Sequence, residues 1–340
     1  MKGYLKKTRL LKIISKFKQV NILVIGDIIL DRYVWGKADR LSPEAPVPVV
    51  WANRENYLLG GAANVAFNLS SLGVKSAISG VAGRDFYSKQ IEGLMKKEKI
   101  NNSLVLNIQG RPTTLKTRVI ARHQQVVRID WESSEELSLK INRKIVNSIR
   151  RNIDKFDTVV IEDYGKGVIN PHILEEVLDI CKKKKKSVAV DPKEEHFDFY
   201  KGVTVLTPNL KEAQSAANFK VKGRKELNLL GEVLLEKLYP EALLVTLGEE
   251  GMRLFLKRGG SFHLPTYALD VFDVSGAGDT VIAVFASALS AGASFLEAAF
   301  LSNFAAGIVV SRLGASAVSP SELADKVNKY FDKVQIKKVV

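Results

Sequence analysis

Five short segments of the chain are apolar almost throughout: 21–26, 158–162, 187–191, 203–206 and 242–247. Strands that helices cover on both faces have this composition, because every side chain then points into a core. Helical segments separate most of the five, and 171–184 and 222–238 are the clearest of them. This alternation predicts an α/β fold with a mainly parallel sheet and right-handed crossovers. Ligands of such folds bind at the carboxyl ends of the strands.

Two segments interrupt the alternation. Residues 33–59 contain Pro43, Pro46 and Pro48, and residues 104–131 mix β-branched side chains with arginines. We interpret both segments as strands of a smaller β-sheet lid. The chain has no internal repeat and no long low-complexity linker, so we predict one domain that carries a lid.

Lysine and arginine outnumber aspartate and glutamate by 51 to 37, which gives a net charge of +14. This excess favours phosphorylated ligands, nucleic acid or an acidic surface as partners, although a basic proteome would explain it equally well. We interpret the five lysines at 182–186 as a solvated helix end rather than a nucleic-acid patch. The single Cys181 cannot form an intramolecular disulfide, and no Cys/His cluster has metal-ligand spacing. We therefore expect a reducing, cytoplasmic setting without structural zinc.

Residues 1–19 are interpreted as a basic helical extension with Leu10, Ile13, Ile14 and Phe17 on one face. A helix packed on the domain is favoured over one that binds a membrane surface. No apolar segment approaches the roughly eighteen residues of a membrane span, and the N-terminus lacks the apolar core of a signal peptide. We therefore expect a soluble protein.

The run DVSGAGDT at 273–280 combines small residues with a carboxylate. The apolar segment 281–289 predicts a helix that begins there, and its first N–H groups would face an anion. Asp279 would lie in the first turn, where a carboxylate can accept the proton of a hydroxyl that is being phosphorylated. The pattern alone is also compatible with a tight turn or a close contact between helix and sheet.

A second glycine element, GGAANVA at 60–66, also precedes a segment with helical spacing. Gly60 and Gly61 would form a turn into that helix. Asn64 would lie in its first turn, where its amide either binds sugar hydroxyls or acts as an ordinary helix cap. The two glycine elements are about 210 residues apart, and their pairing is far more specific than either one.

Together the two glycine elements resemble the two signatures of the ribokinase (PfkB) family of sugar kinases. Further matches follow in family order: GDIILD at 26–31, TPNLKEA at 207–213, VTLGEEG at 245–251 and SNFAAGIVVSRLGA at 302–315. The resemblance covers roughly residues 20–320. It implies a ribokinase-like three-layer α/β/α fold, with residues 20–330 as the kinase domain and residues 331–340 as a C-terminal tail.

The resemblance also implies roles for the matching residues, with ATP as phosphoryl donor and Mg²⁺ as its counterion. Asp279 is then the catalytic base, and Gly276, Ala277 and Gly278 form the anion hole. Four residues of the first two motifs bind the sugar hydroxyls: Asp31, Gly60, Gly61 and Asn64. Eight residues of the later motifs bind the nucleotide: Asn209, Leu210, Lys211, Glu212, Thr246, Gly248, Gly251 and Asn303.

Two of the implied roles concern cations. Glu212 matches the family residue that acts on the magnesium-bound phosphates, and it does so through water. Asp273 matches a position beside the anion hole at which the family commonly uses a monovalent cation, here potassium. Without the resemblance, Asp273 is an ordinary turn-forming residue at the end of a strand.

Three segments narrow the resemblance to the kinases of D-glycero-D-manno-heptose 7-phosphate: 26–50, 114–132 and 161–167, with DPK at 191–193 close behind. A substrate that already carries phosphate needs cations at its far end, and arginine binds phosphate in a bidentate way. The candidates are Lys116, Arg118, Arg122, Arg128 and Lys193, of which Lys116 and Arg118 come first. Arginines of a β lid also stabilise its exposed face, which would account for about half of them. The resemblance places Asp163 at the substrate as well.

The implied reaction transfers the γ-phosphate of ATP to the anomeric hydroxyl of the heptose, on a route to ADP-heptose and lipopolysaccharide. In many bacteria such a kinase is fused to an adenylyltransferase with an HxGH motif, which this chain lacks, so we expect a separate adenylyltransferase. Lid strands with exposed edges predict a homodimer. Two alternatives stay open: a kinase of another sugar or sugar phosphate, such as fructose 6-phosphate or ribose, and a non-catalytic nucleic-acid-binding protein on the same fold.

Overall fold

The computed structural model describes residues 5–122, 124–267, 271–312, 316–333 and 336–339. Within these ranges the α-helices are α1 (Lys7–Ser15), α2 (Ala62–Ser71), α3 (Phe86–Lys97), α4 (Leu139–Asn152), α5 (Pro171–Lys183), α6 (Leu210–Ala217), α7 (Arg224–Leu238), α8 (Ala277–Ser290), α9 (Phe295–Val309) and α10 (Pro320–Tyr330). The strands are β1 (Asn21–Gly26), β2 (Ile28–Leu41), β3 (Pro48–Gly61), β4 (Lys75–Gly83), β5 (Asn101–Ile108), β6 (Thr114–Ala121), β7 (Gln124–Trp131), β8 (Thr158–Glu162), β9 (Ser187–Asp191), β10 (Val205–Leu206), β11 (Ala242–Thr246), β12 (Met252–Leu256), β13 (Gly260–Leu264) and β14 (Lys337–Val339).

A ten-stranded sheet forms the middle layer, in the order β14-β13-β12-β11-β10-β9-β8-β1-β4-β5. The strands from β5 to β11 in this order are parallel to one another, and β12, β13 and β14 each join antiparallel to their neighbour. The predicted fold, three layers around a mainly parallel sheet, is confirmed. The chain builds β4 on one side of β1 and β8 on the other, and this reversal opens a crevice at the carboxyl ends of the strands.

Alternate residues of β1 pack into two cores on opposite faces of this sheet. Ile22 and Val24 lie in the core that includes α1, α2, α8, α9 and α10. Leu23 and Ile25 lie in the other core, with residues of α4, α5 and α7. Because successive side chains of a strand point to opposite faces, an apolar run without alternation is what a strand between two helical layers requires.

A four-stranded sheet in the order β3-β2-β6-β7 forms the predicted lid. The predicted lid boundaries need one correction, because residues 104–108 lie in β5, at the edge of the central sheet. Leu104 is buried in the core that contains α4, so packing against the helical layer explains its apolar side chain. The pattern of a short strand shows its buried face and does not show which sheet it joins.

The described parts of the predicted N-terminal extension and of the predicted C-terminal tail pack on the domain. Leu10, Ile13 and Ile14 of α1 are buried in the first core, and α1 packs on α10. This is the packed helix that we favoured over a membrane-surface helix. In the predicted C-terminal tail, Lys337–Val339 form β14, which pairs with β13 and extends the sheet.

The surface around the five lysines at 182–186 carries nearby carboxylates. Lys183 forms an ion pair with Asp179 at 2.7 Å, and Lys184 forms one with Asp154 at 2.8 Å. The lysines close α5 and the turn before β9, as the interpretation of a solvated helix end requires. In the parts of the chain that the structure describes, no helix is both long and apolar enough to span a bilayer.

Candidate active site

Helix α8 begins at the glycine element near the C-terminus and carries Asp279 in its first turn. Gly276 precedes the helix with φ 75° and ψ 6°, a left-handed conformation that glycine adopts without steric cost. A Cβ atom at Gly276 would lie 2.9 Å from Nδ2 of Asn64. One of the three expected anion-hole amides is already engaged, since the Ala277 N–H donates to the Val274 carbonyl at 3.2 Å. The other N–H groups at this helix start lie beside the Asp279 carboxylate, which is an arrangement suited to binding an anion next to a base.

The Asp279 carboxylate is buried and accepts two side-chain hydrogen bonds. Nδ2 of Asn64 donates to its Oδ2, and the Tyr164 hydroxyl donates to its Oδ1 at 3.3 Å. Burial raises the pKa of Asp279 to about 6, although both hydrogen bonds act to lower it. At neutral pH the carboxylate is therefore mainly ionised and able to accept a proton.

The first glycine element leads into α2, which holds Asn64 against this carboxylate. Gly61 adopts φ 56°, and a Cβ there would lie 2.4 Å from the Asp27 carbonyl oxygen. One turn after Asn64, Nδ2 of Asn68 donates to the Asn64 carbonyl at 2.9 Å, and Oδ1 of Asn68 accepts from the Thr280 hydroxyl at 2.7 Å. A buried hydrogen-bond network thus fixes the two helix starts relative to each other.

Asp31 lies on β2 of the lid and already has a partner in the structure. Its Oδ1 pairs with the Arg118 guanidinium at 2.5 Å, and Arg118 lies 5.3 Å from the centre of the Tyr33 ring. A Cβ at Gly60 would lie 2.7 Å from Oδ2 of Asp31, so glycine leaves room for this carboxylate. The structure therefore brings three predicted substrate residues together on the lid, with Arg118 bound to Asp31 rather than directed at a phosphate.

Lys116 occupies the position on β6 that pairs with Asp31 of β2 and Asp130 of β7. Its ammonium lies 5.4 Å from the centre of the Tyr164 ring, the same ring whose hydroxyl contacts Asp279. Burial lowers the pKa of Lys116, against the opposing effect of Glu132. A partly desolvated cation beside the site is suited to a charged ligand.

The other cations that we considered lie in different surroundings. Arg122 pairs with Asp39 at 2.7 Å on the lid surface, and Arg128 pairs with Asp130 at 3.0 Å. Both fit the interpretation of structural lid arginines. The Lys193 charge lowers the pKa of Glu212, and its side chain lies beside Gly165, where a Cβ atom would be 3.5 Å from Cγ of Lys193. Its substrate role stays a prediction.

The expectation for Asp163 needs correction. Its side chain is fully buried, and its oxygens accept from the Tyr200 hydroxyl at 2.5 Å and the Gly165 N–H at 2.8 Å, with Nδ1 of His196 at 2.6 Å. These partners surround the carboxylate and leave no face for a sugar hydroxyl. Asp163 instead anchors the segment after β9 to the loop after β8.

The same loop is held by a second buried carboxylate, Asp27, which follows β1. Its oxygens accept from the N–H groups of Tyr164 at 3.0 Å, Lys166 at 3.0 Å and Val168 at 3.1 Å. Burial raises the pKa of Asp27 to about 6, against these hydrogen bonds. Asp27 thereby fixes the backbone that carries Tyr164 to the Asp279 carboxylate.

Three carboxylates meet at the carboxyl ends of the strands. Glu162 ends β8, Asp191 ends β9, and one oxygen of each lies within 4.8 Å of the others and of Asp279. Burial raises the pKa of Glu162 and Asp191 well above the usual range, and neighbouring carboxylates raise both further. Oε2 of Glu162 is buried without a hydrogen-bond partner among the described residues. A hard divalent cation such as Mg²⁺ fits these donors, since it prefers oxygen ligands and would satisfy the orphaned atom.

A cleft of about 580 Å³ adjoins this centre on the side of α9. Six of its lining residues were predicted from the sequence: Thr246, Gly248, Gly251, Ala277, Gly278 and Asn303. The exposed apolar side chains of Val271 and Val274 also line it. Nδ2 of Asn303 donates to the Pro265 carbonyl at 2.7 Å, which ties the cleft wall to α9. An apolar cleft that opens at a helix N-terminus suits a base at one end and phosphates at the other.

The predicted residues 209–212 form the start of α6, beside this cleft rather than in its lining. Asn209 and Glu212 make a reciprocal capping box, with N···O distances of 2.9 and 3.0 Å, and Asn209 bridges to Thr246. Burial raises the pKa of Glu212. Asp273 accepts from the Ser275 N–H at 2.9 Å, which is the turn-forming role. Its potassium role stays a prediction.

The family model described as "pfkB family carbohydrate kinase" matches residues 19–322. The chain belongs to this family. It is therefore a sugar kinase, and ATP is the phosphoryl donor that the family implies. Solved structures agree on the fold at low identity. Arabidopsis thaliana ribokinase in complex with ribose and ATP has a TM-score of 0.72 at 21% identity, covering 91% of this chain and 98% of that one.

Phosphofructokinase-2 from Escherichia coli in complex with potassium has a TM-score of 0.75 at 16% identity, with the same two coverages, 91% and 98%. Among named relatives, the bifunctional protein HldE of Geobacter sulfurreducens is 45% identical over 304 residues, which cover 89% of this chain and 62% of that protein. HldE of Desulfatibacillum aliphaticivorans is 44% identical over 310 residues, 91% and 63% of the two chains. This kinase thus spans less than two thirds of the length of these relatives.

Four residues of the site were not singled out by the sequence reasoning: Asp27, Glu162, Tyr164 and Asp191. Two of them had a signal in the sequence, because Glu162 and Asp191 are the only acidic residues in two largely apolar strands and both end their strand. Ligand sites of parallel sheets lie at these ends. Asp27 and Tyr164 lie inside the matching segments 26–31 and 161–167, but their roles depend on how a loop folds back, which these segments do not show.

Proposed function

We propose that this kinase phosphorylates D-glycero-β-D-manno-heptose 7-phosphate at its C1 hydroxyl and yields the 1,7-bisphosphate, on a route to ADP-heptose. The observation that carries the proposal is the line from Asp279 through Tyr164 to Lys116: a base, a ring and a lid cation in succession. A base at one end and a cation at the other suit a sugar whose reacting hydroxyl and phosphate lie far apart. The segments that resemble heptose 7-phosphate kinases supply two of these residues, Lys116 and Tyr164.

In the proposed mechanism, the C1 hydroxyl donates its proton to the Asp279 carboxylate as its oxygen attacks the γ-phosphorus of ATP. The bond between the γ-phosphorus and the β,γ-bridging oxygen breaks, and ADP leaves with that oxygen. Asn64 orients the carboxylate by donating to Oδ2, and Tyr164 does so at Oδ1. Backbone N–H groups at the start of α8 then stabilise the negative charge on the transferred group. Proton transfer of this kind contributes about 10²–10⁴-fold in rate.

The carboxylates of Glu162 and Asp191, with Glu212 acting through water, would hold Mg²⁺. The bound ion would supply positive charge that neutralises the phosphate oxygens during transfer. The protein contributes the enclosure, because the lid over the crevice excludes water that would otherwise hydrolyse ATP.

A substrate panel tests the proposal directly. We expect ATP-dependent turnover with D-glycero-D-manno-heptose 7-phosphate to exceed turnover with fructose 6-phosphate, ribose and fructose, with ³¹P NMR locating the new phosphate on C1. Preference for another sugar would leave the family and Asp279 in place and refute the assignment of the lid cations. That outcome would favour the alternative of a kinase for another sugar or sugar phosphate.

We also propose that two copies pair through their lids. On β7 the side chains of Val127, Ile129 and Trp131 are 45%, 41% and 48% exposed. They alternate with residues 128 and 130, which pair with Arg118 and Lys116, so they lie on the face of the lid away from the site. A contiguous exposed apolar face on an edge strand is suited to a second copy of the chain.

We expect light scattering to give about twice the chain mass of 37.6 kDa. Ile129→Glu should shift the population to monomers, because a carboxylate would be desolvated in the interface. Leu229→Glu is the matched control, since Leu229 is 51% exposed on α7, away from the lid. A monomeric wild-type protein, or equal effects of the two substitutions, would contradict lid pairing.

A further inference from the structure

A second cavity, of about 290 Å³, lies beside the nucleotide cleft, on the side of the antiparallel strands. The two cavities share a wall. Leu247 and Glu250 line the second cavity, whereas Gly248 and Gly251 of the same turn line the nucleotide cleft. None of the residues with a proposed part in phosphoryl transfer lines this second cavity.

The cavity is lined by four basic residues: Arg224, Arg253, His263 and Lys337. Three of them form a row across adjacent strands, since Arg253 pairs with His263 and His263 pairs with Lys337. Like charges directly opposite one another destabilise a sheet. Glu250 is the single acidic residue among the described residues of the lining, so two positive charges remain in excess there when His263 is neutral.

Arg253 is buried to an unusual degree for a cation, with 4% of its surface exposed. One guanidinium nitrogen donates to Oδ1 of Asn228, and the group lies 5.6 Å from the centre of the Phe255 ring. Its Nε is buried without a hydrogen-bond partner in the described part of the chain. In this described part, Arg224, Arg253 and Lys337 form no ion pair. A buried cation with an open donor is costly unless an anion completes its surroundings.

The start of α7 also lies at the cavity, where Arg224 adds positive charge and Glu226 of the same first turn offsets part of it. Arg224 is the first residue of this helix, and the preceding Gly223 provides no side-chain cap. The free N–H groups of a first turn and the helix dipole both favour a bound anion. The start of α7, the buried guanidinium of Arg253 and the row of basic side chains across three strands thus lie at one cavity.

We propose that this cavity binds a small phosphate-type anion, either inorganic phosphate or the phosphate group of a small monoester, at a site separate from the catalytic centre. Arg253 lines the cavity and would bind the anion through its guanidinium, in the charge-assisted geometry that guanidinium and phosphate share. Arg224 and Lys337 would supply charge from the more exposed rim. The volume is at the lower end of small-molecule sites, which suits a small anion.

The test uses His263 as a reporter. Burial lowers its pKa, and the charges of Arg253, Arg224 and Lys337 lower it further while Glu250 opposes them. With the catalytic cleft saturated by ADP, adding inorganic phosphate to histidine-labelled protein should shift the His263 NMR signal in a saturable way and raise its pKa. The signal of His172 should stay in place, and potassium chloride at equal ionic strength should leave both unchanged.

Two substitutions complete the test. Arg253→Gln should weaken phosphate binding by about 10- to 100-fold, because it removes a buried charge-assisted donor. Lys337→Gln lies on the exposed rim and should weaken it by about two- to fivefold with the fold intact. Both should keep phosphate-free turnover near that of the wild type. A His263 signal that ignores millimolar phosphate, responds equally to chloride, or responds equally in folded variants would overturn the proposal.

Discussion

Asp279→Asn should reduce turnover by about 10²–10⁴-fold while leaving ATP affinity nearly unchanged. The amide is close in shape to the carboxylate but cannot accept the proton of the attacking hydroxyl. Its Nδ2 would also face either Asn64 or Tyr164, both of which donate to the carboxylate in the native site. Steady-state turnover and a nucleotide-binding titration, done on the same preparation, separate the chemical step from binding.

The matched control is Asp39→Asn. It makes the same change from carboxylate to amide, but at an exposed position on the lid. Among the described residues, Asp39 pairs with Arg122 on the surface of the lid. Its substitution should therefore leave turnover within about twofold, as exposed ion pairs contribute little. Near-normal turnover in Asp279→Asn would refute its assignment as the base. Loss of ATP affinity together with turnover would indicate that the first turn of α8 had been disturbed instead.

The central sheet could be predicted from the sequence because each of its apolar runs must be covered on both faces. The segments at β1, β8 and β9 have no alternation, and a buried parallel strand is the structure that tolerates this. The lid boundary could not be predicted in the same way. Residues 104–108 are β-rich and partly polar, and what assigns them to the central sheet is their pairing with β4, together with the packing of Leu104 against the helical layer.

The residues of the candidate site also fall into those that a local pattern predicts and those that it does not. Asp279 and Asn64 follow from local glycine elements, since a helix start imposes its geometry on neighbouring residues. Asp163 is placed at the substrate by the resemblance of residues 161–167 to heptose 7-phosphate kinases. Its real surroundings come from Tyr200 and His196, more than thirty residues away, and no local pattern contains them. Contacts between distant segments are the information that a single sequence lacks.

Glu162→Gln should stabilise the metal-free protein and at the same time weaken its response to Mg²⁺. Glu162 is buried with an unpartnered oxygen, and its pKa is raised well above 4.5 on folding. A carboxyl whose pKa is raised on folding binds its proton more tightly in the folded state, so the folded protein loses stability as pH rises above about 4.5. Glutamine does not titrate and escapes this loss. In EDTA, the melting temperature of the variant should exceed that of the wild type more at about pH 8 than at about pH 5.

With Mg²⁺ present, the melting temperature of the wild type should exceed that of the Glu162→Gln variant. Mg²⁺ binds the ionised carboxylates of the native state and raises the wild-type melting temperature by mass action, whereas the variant lacks one ligand. The variant should need at least about 10- to 100-fold more Mg²⁺ for half-maximal turnover. Asp163→Asn is the contrasting control: its carboxylate is fully paired, so the substitution should destabilise the protein and leave the Mg²⁺ requirement in place. A Glu162→Gln variant that is less stable in EDTA yet keeps the wild-type magnesium requirement would show that Glu162 is a structural acid, and that the ion is held by Asp191 and Glu212 without it.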